Sequence, residues 1–138
     1  MDIARLPGTT ARGTKARVLI VEDGITMRMF YRDVLEAAGF EVEEAVNGLE
    51  GLERAMTGPF DLLVVDINMP KMDGYEVIRT IREDAALWRL PIITISTEDK
   101  EQDALKAYEA GANFYLTKPV RPKDLAEMAR LLTGTAIQ

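Results

Sequence analysis

Cysteine and histidine are both absent from the 138-residue sequence. Without them, disulfide bonds, zinc sites with thiolate or imidazole ligands, and catalytic triads with a histidine base are all excluded. The ligands that remain for a metal ion are the oxygen atoms of carboxylates, hydroxyls, amides and the main chain. Any metal site in this chain is therefore expected to bind a hard cation.

Long apolar runs are also missing. No stretch of the sequence reaches the roughly 18 consecutive apolar residues that a membrane-spanning helix needs, and the N-terminus has no apolar segment like that of a signal peptide. We expect a soluble, cytoplasmic protein without membrane insertion. The formal net charge of -6 argues against direct binding to nucleic acid, which requires clustered Lys and Arg side chains to neutralise phosphates.

The length and the 47% apolar content fit one domain with one core. Residues 1–15 contain proline and glycine, show no apolar period and carry mainly basic charge. We expect them to form a flexible tail, with no specific role as the simpler interpretation and a functional basic arm as the alternative. The folded domain is predicted over residues 16–134, followed by a C-terminal tail at 135–138.

Short apolar runs alternate along the domain with longer stretches that have a helical period. This alternation is typical of βα units that build a parallel sheet. The stretches between the runs predict five helices, the fourth of them over about residues 99–110. Five strands are predicted, over residues 18–21, 41–45, 62–65, 92–95 and 114–116.

The polarity of the strands predicts their order in the sheet. Strands one, three and four are almost entirely apolar, as expected of central parallel strands that are buried on both faces. Strand two has three glutamates in five residues and must lie at an edge, and the short fifth strand fits the other edge. With right-handed crossovers this gives the order 2-1-3-4-5, a flavodoxin-like (βα)5 doubly wound α/β fold, in which ligands bind at the carboxyl ends of the strands.

Polar residues lie within two residues of the ends of four of these strands: Glu22 and Asp23 after strand one, Asp66 after strand three, Ser96 after strand four and Lys118 after strand five. Three carboxylates at one edge repel one another, so the cluster needs either raised pKa values or a cation. Mg²⁺ is the natural cation where a phosphoryl group is also bound. A carboxylate such as Asp66 can attack phosphorus and form an aspartyl-phosphate, whose charge a metal and a lysine would offset.

Four sequence blocks around these residues carry a family resemblance. They resemble the signature blocks of response regulator receiver domains, the CheY-like modules of two-component systems, in the correct order over about residues 16–134. The blocks are Val21-Glu22-Asp23, Asp66-Ile67-Asn68-Met69-Pro70-Lys71-Met72-Asp73-Gly74, Pro91-Ile92-Ile93-Thr94-Ile95-Ser96 and Tyr115-Leu116-Thr117-Lys118-Pro119.

The resemblance implies a role for each residue of the site. Asp66 is implied as the phosphoacceptor. Four residues are implied as ligands of Mg²⁺: Glu22, partly through water, Asp23, Asp66 and, through its backbone carbonyl, Asn68. The implied phosphoryl contacts and switch residues are Ser96, Thr97, Lys118 and Tyr115, with a cis bond between Lys118 and Pro119.

Three residues beside the phosphoryl site are implied to set the lifetime of the phosphoryl group. Thr97 stands where the family usually has alanine or glycine, and we hypothesise that its branched side chain slows both phosphotransfer and attack by water. Asn68 and Glu98 flank the path by which water approaches, so they are implied as modulators of that lifetime.

The function implied by the resemblance is a phosphorylation-dependent switch rather than a free-standing enzyme. The phosphoryl group would come from a phosphohistidine on a sensor histidine kinase or a histidine phosphotransfer protein. The output would be a contact with a downstream protein through helix four, strand five and helix five, because the sequence after the domain is too short for an output module. A chemotaxis regulator and a phosphorelay intermediate both remain open.

Structural interpretations compete with these roles. Asp23 could cap helix one, and Ser96 or Thr97 could cap helix four. Lys118 could be a solvated lysine, and Tyr115 a half-buried strand aromatic. Asp73 and Gly74 have a purely structural explanation, because Asp73 can cap helix three while Gly74 permits close backbone approach.

Three other functions are weaker. A phosphatase of the haloacid dehalogenase type needs a second acid two residues after its nucleophile, where this chain has Asn68. A flavin or dinucleotide binder needs a glycine-rich phosphate loop, which is missing after strand one. A pseudo-receiver that binds partners without phosphorylation stays possible on sequence grounds.

Overall fold

The computed structural model describes residues 15–135, so most of each predicted tail lies outside the described residues. Strands and helices alternate along this part of the chain, as the sequence predicts. The elements are β1 (Arg17–Val21), α1 (Ile25–Ala37), β2 (Glu41–Ala45), α2 (Gly48–Thr57), β3 (Leu62–Asp66), α3 (Gly74–Glu83), β4 (Ile92–Ser96), α4 (Glu101–Ala110), β5 (Phe114–Thr117) and α5 (Pro122–Thr133).

The five strands form one parallel sheet in the order β2-β1-β3-β4-β5, which confirms the predicted order and the flavodoxin-like fold. Strand β1 lies between β2 and β3, and Val21 at its end is opposite Val65 of β3. Asp66, one residue further, is opposite Ile95 of β4. The register therefore brings the residues that follow β1, β3 and β4 to one edge of the sheet.

The core is divided by the sheet into two apolar layers. On one face, buried residues of α2, α3 and α4 pack against the sheet, and on the other face those of α1 and α5 do so. Strands β3 and β4 are buried at every position, as expected of central strands, and this includes the polar residues Asp66, Thr94 and Ser96. Each fully buried Leu or Ile contributes roughly 1.5–3 kcal/mol by removal from water. Every helix within residues 15–135 is too short or too polar to span a lipid bilayer.

The charged edge strand β2 is stabilised by ion pairs with arginines of its neighbours. Glu43 contacts the guanidinium of Arg17 on β1. The two carboxylate oxygens of Glu44 lie 2.7 Å from Arg28 Nε and 2.9 Å from Arg32 Nε, both on α1. The glutamates that predicted an edge position are thus paired in the folded chain.

The observed N-caps of α1 and α4 test the capping roles considered for Asp23, Ser96 and Thr97. The N-cap of α1 is Gly24 and the N-cap of α4 is Lys100, and neither helix has a side-chain cap hydrogen bond. The capping interpretations of Asp23, Ser96 and Thr97 are therefore wrong. Helix α4 begins at Glu101, two residues later than predicted, because residues 97–100 form the loop that passes the site.

Asp73 and Gly74 have the structural roles predicted for them. Asp73 Oδ1 accepts a hydrogen bond of 3.0 Å from the Glu76 amide and so caps α3. A Cβ atom on Gly74 would lie 2.7 Å from the carbonyl oxygen of Asp66 and 2.8 Å from Ile67 Cα. Only glycine lets α3 begin this close to the end of β3, and the loop after Asp66 is held in place as a result.

Candidate functional site

An acidic cluster lies at the carboxyl ends of β1 and β3. Glu22, Asp23 and Asp66 each offer a carboxylate oxygen, and these oxygens all lie within 4.8 Å of one another. Glu22 and Asp66 are each only 2% exposed, whereas Asp23 is exposed at the mouth of the cluster. The structure thus brings together the three carboxylates that the sequence singled out.

The two carboxylate oxygens of Asp66 have different partners. Its Oδ1 accepts a hydrogen bond of 3.0 Å from the Asn68 amide, and its Oδ2 lies 3.3 Å from Lys118 Nζ. The same ammonium group is 3.7 Å from Glu22 Oε1. Lys118 therefore contacts both buried carboxylates, and its interpretation as a solvated lysine is wrong.

Lys118 reaches these carboxylates from the end of β5, on the far side of β4. Its backbone amide donates a 2.8 Å hydrogen bond to the carbonyl oxygen of Ser96, which continues the pairing of β5 with β4. The bond between Lys118 and Pro119 is cis, as predicted. The long lysine side chain then spans the width of β4 and brings a positive charge to the cluster.

Burial is the main reason why the pKa of Glu22 is raised to about 7. The amide of Gly24, which donates a 2.8 Å hydrogen bond to Oε2, lowers that pKa, while the negative charge of Asp66 raises it. Glu22 Oε1 accepts no hydrogen bond from the described residues. A cation bound among the carboxylates would favour the ionised form of Glu22 and displace its proton.

The donor set of the cluster fits a hard divalent cation. It consists of carboxylate oxygens, which magnesium and calcium prefer, and the sequence has no thiolate or imidazole to compete for a softer ion. The role of the Asn68 backbone carbonyl as a further ligand stays a prediction.

Ser96 ends β4 beside the cluster and is completely buried. Its Oγ accepts a hydrogen bond of 3.0 Å from the Glu98 amide and donates one of 3.3 Å to Asn68 Oδ1. Thr97 donates to the same amide oxygen twice, from its backbone N–H at 3.0 Å and from its Oγ1 at 3.3 Å. The side chain of Asn68 is thus bonded to the loop after β4.

Tyr115 points its hydroxyl group at this loop as well. Its Oη donates a hydrogen bond to the backbone carbonyl of Glu98. Partial burial raises the pKa of the phenol, so it stays neutral and able to donate at physiological pH. Tyr115 is half-buried: its ring packs against the apolar layer on the side of α2, α3 and α4, while its hydroxyl group is bonded to the backbone of the loop.

Two features of the site were not found from the sequence. The first is the set of hydrogen bonds to Asn68 Oδ1, for which the sequence offered only the proximity of two strand ends. The second is the buried Tyr31 of α1. Its phenol is 1% exposed, and its pKa is raised by burial and then by the charges of Glu22 and Asp66.

The fold and the site together define a class of protein. Its members are flavodoxin-like domains that have an acidic cluster and a lysine at the carboxyl ends of the strands. The family model for the response regulator receiver domain matches residues 18–130. The chain therefore belongs to the response regulator receiver domain family.

Relatives of known identity support the same assignment. The chemotaxis protein CheY-3 of Vibrio cholerae is 38% identical over 112 residues, which cover 80% of this chain and 86% of the relative. The chemotaxis protein CheY1 of Helicobacter pylori is 35% identical over 121 residues, covering 86% of this chain and 98% of the relative.

Solved structures of receiver domains have the same fold. A putative response regulator from Chloroflexus aurantiacus superposes with a TM-score of 0.83 at 31% identity, covering 86% of this chain and 98% of that one. The receiver domain of a sensor histidine kinase from Pseudomonas aeruginosa, described with a magnesium ion coordinated in its active-site cleft, gives 0.80 at 27% identity, covering 87% and 98%.

Proposed function

We propose that the protein accepts a phosphoryl group on Asp66 in a reaction that depends on Mg²⁺. The observation that carries this proposal is the pairing of the buried Asp66 carboxylate with Lys118, at 3.3 Å, inside a cluster of three carboxylates. A carboxylate oxygen of Asp66 attacks the phosphorus of a phosphohistidine. A P–O bond forms, the P–N bond breaks, and the imidazole leaves with the bonding electron pair and takes up a proton.

The metal would be held by Glu22, Asp23, Asp66 and the carbonyl of Asn68. When bound, it supplies positive charge to the transferring phosphoryl oxygens. Lys118 supplies a second positive charge, and Ser96 and Thr97 supply hydrogen-bond donors. The oxygen-only donor set supports this choice of ion, and so does the magnesium in the cleft of the related Pseudomonas receiver domain.

The lifetime of the phosphoryl group is proposed to depend on Thr97, Asn68 and Glu98. All three are exposed at the mouth of the site, where they can crowd or orient an attacking water. If the bulk of Thr97 slows that attack, Thr97→Ala should speed the loss of label from the phosphorylated protein. An unchanged rate would refute this role for Thr97.

The proposed output is a phosphorylation-dependent surface formed by α4, β5 and α5. A phosphoryl group that draws Ser96 towards Asp66 would allow Tyr115 to leave the Glu98 carbonyl and turn inward, which would alter this surface. The chemistry happens on the protein itself and is followed by its own dephosphorylation, so the protein is proposed to be a switch and not an enzyme with a separate substrate.

The partners proposed are a histidine kinase or a histidine phosphotransfer protein upstream and a target protein downstream. The CheY relatives favour a chemotaxis pathway. A phosphorelay is the second candidate, because receiver domains of sensor histidine kinases are also among the structural neighbours.

The site is tested by labelling with acetyl phosphate, a small-molecule phosphodonor. We expect stoichiometric labelling in the presence of Mg²⁺, none with a chelator, and none for Asp66→Asn. Asp33→Asn, which changes an exposed aspartate of α1, serves as the matched control and should label like the unmodified protein. Label that persists on the Asp66→Asn protein would contradict the assignment.

A further inference from the structure

One oxygen atom in the site receives three hydrogen bonds from the loop after β4. Asn68 Oδ1 accepts from Ser96 Oγ at 3.3 Å, from Thr97 N at 3.0 Å and from Thr97 Oγ1 at 3.3 Å. Asn68 is itself held beside Asp66, because its amide donates to Asp66 Oδ1 at 3.0 Å. The amide oxygen thus lies between the proposed phosphoacceptor and the loop.

The hydrogen bonds to Asn68 Oδ1 occupy protons that a phosphoryl group would need. The Ser96 hydroxyl has one proton, which it donates to Asn68 while its oxygen accepts from the Glu98 amide. The backbone amide of Thr97 likewise has one proton, which it donates to Asn68. Neither group can donate that proton to a phosphoryl oxygen on Asp66 until it leaves Asn68.

We propose that Asn68 Oδ1 acts as an internal acceptor that holds Ser96 and Thr97 in the unphosphorylated arrangement, in competition with the phosphoryl group. This inference rests on the proposed function of Asp66. Asn68 is then a positioning residue with an inhibitory effect. Phosphorylation must exchange an amide acceptor for a charged phosphoryl acceptor, and charge-assisted hydrogen bonds are stronger than neutral ones.

Thr97 strengthens this restraint by a bond that a residue without a side-chain hydroxyl group cannot make. Its hydroxyl donates to Asn68 Oδ1, so the unphosphorylated loop is stabilised by a side chain as well as by a backbone amide. A restraint based on the hydroxyl differs from simple crowding, because crowding depends on the size of the side chain and not on its proton.

The test measures the affinity for beryllofluoride, a phosphoryl analogue, at a fixed Mg²⁺ concentration. Thr97→Val keeps the size and removes the hydroxyl, whereas Thr97→Ser keeps the hydroxyl. We expect Thr97→Val to bind about fivefold more tightly than Thr97→Ser, as the loss of one hydrogen bond worth about 1 kcal/mol predicts. Asn68→Ala removes the acceptor of all three bonds and should bind more tightly than the unmodified protein by at least about fivefold. Asn68→Ala retains the backbone carbonyl proposed as a metal ligand.

A double variant and a remote control make the result specific. In the Asn68→Ala background, Thr97→Val should have no further effect, because its acceptor is gone. Thr80→Val, which removes a hydroxyl that donates to the Glu76 carbonyl on α3, should leave the affinity unchanged. In the metal-free protein, the amide proton resonance of Thr97 should shift upfield in Asn68→Ala, because the amide loses its hydrogen bond to Asn68 Oδ1. A general loss of stability would not produce this shift.

The possible outcomes separate the two proposals. If the unmodified protein does not bind beryllofluoride at all, the proposed function fails and this inference fails with it. If the protein binds but Thr97→Val equals Thr97→Ser, or Asn68→Ala binds equally or more weakly, the competition by Asn68 is refuted while the function of Asp66 stands.

Discussion

The side chain of Tyr31 on α1 is buried, including its hydroxyl group. It belongs to the apolar layer between α1, α5 and the sheet, yet its hydroxyl has no hydrogen-bond partner among the described residues. A buried hydroxyl without a partner costs roughly 1–3 kcal/mol. The ring therefore stabilises the fold by its apolar area, and the hydroxyl subtracts from that gain.

Removing this hydroxyl should not destabilise the protein. We expect Tyr31→Phe to leave the free energy of unfolding at pH 7 unchanged or to raise it by up to about 1 kcal/mol. Tyr108→Phe, which alters an exposed phenol on α4, is the matched control. Urea denaturation measures both, and a loss of more than about 1 kcal/mol for Tyr31→Phe would mean that the hydroxyl is well bonded.

The burial of the Tyr31 phenol should also affect how the free energy of unfolding depends on pH. The folded pKa of Tyr31 is raised by burial and by two carboxylates, so the neutral phenol favours the folded state. This stability is complete below the ordinary pKa of about 10 and is lost as the pH rises further, by at most about 1.4 kcal/mol per pH unit. Tyr31→Phe should lose less stability between pH 9 and pH 11 than the unmodified protein.

Among the elements, the junction of β3 and α3 determines where the proposed phosphoacceptor lies. Asp66 is the last residue of β3, and α3 starts so close to it that a Cβ atom at Gly74 would lie 2.7 Å from its carbonyl oxygen. Real Cβ contacts are longer than this, so a side chain at Gly74 must displace the end of β3.

Gly74→Ala is therefore expected to lower the free energy of unfolding by about 1–3 kcal/mol and to reduce labelling of Asp66 as well. Gly58→Ala is the matched control, because its Cβ would meet its nearest neighbour at 3.5 Å and its backbone is extended. Denaturation and acetyl phosphate labelling test the pair. Equal stabilities of the two variants would show that the junction can move at little cost.

Most of the elements could be predicted because their signals are local. Apolar runs located the strands, and the glutamates of β2 located the edge. The ends of β3 and β4 were missed by one residue, since Asp66 and Ser96 continue the strand beyond its last apolar residue. The hydrogen bonds to Asn68 could not be predicted, because they depend on side-chain geometry between two loops that are distant in sequence.

At the scale of the whole molecule, a cation bound to the folded state alone should stabilise it. We expect Mg²⁺ at ten times its dissociation constant to add about 1.4 kcal/mol to the free energy of unfolding. Asp23→Asn should reduce this gain, and in the absence of the ion it should raise stability by relieving repulsion among the carboxylates.

Thermal unfolding with and without Mg²⁺ at constant ionic strength checks this expectation. Glu53→Gln, which changes an exposed carboxylate of α2, controls for the loss of a negative charge elsewhere and should keep the full magnesium effect. An equal gain for Asp23→Asn and the unmodified protein would place the ion outside the acidic cluster.

The ion pairs of β2 have a consequence for how copies of the molecule meet in a crowded solution. An edge strand offers unpaired main-chain groups to any extended segment that approaches, and this is a common route to aggregation. Here Glu43 and Glu44 are held in ion pairs with arginines of β1 and α1. An incoming strand would have to remove water from these charges before it could pair with β2. Because salt screens exposed charges, this protection should be greatest at low salt, and concentrated protein should stay monodisperse longest there.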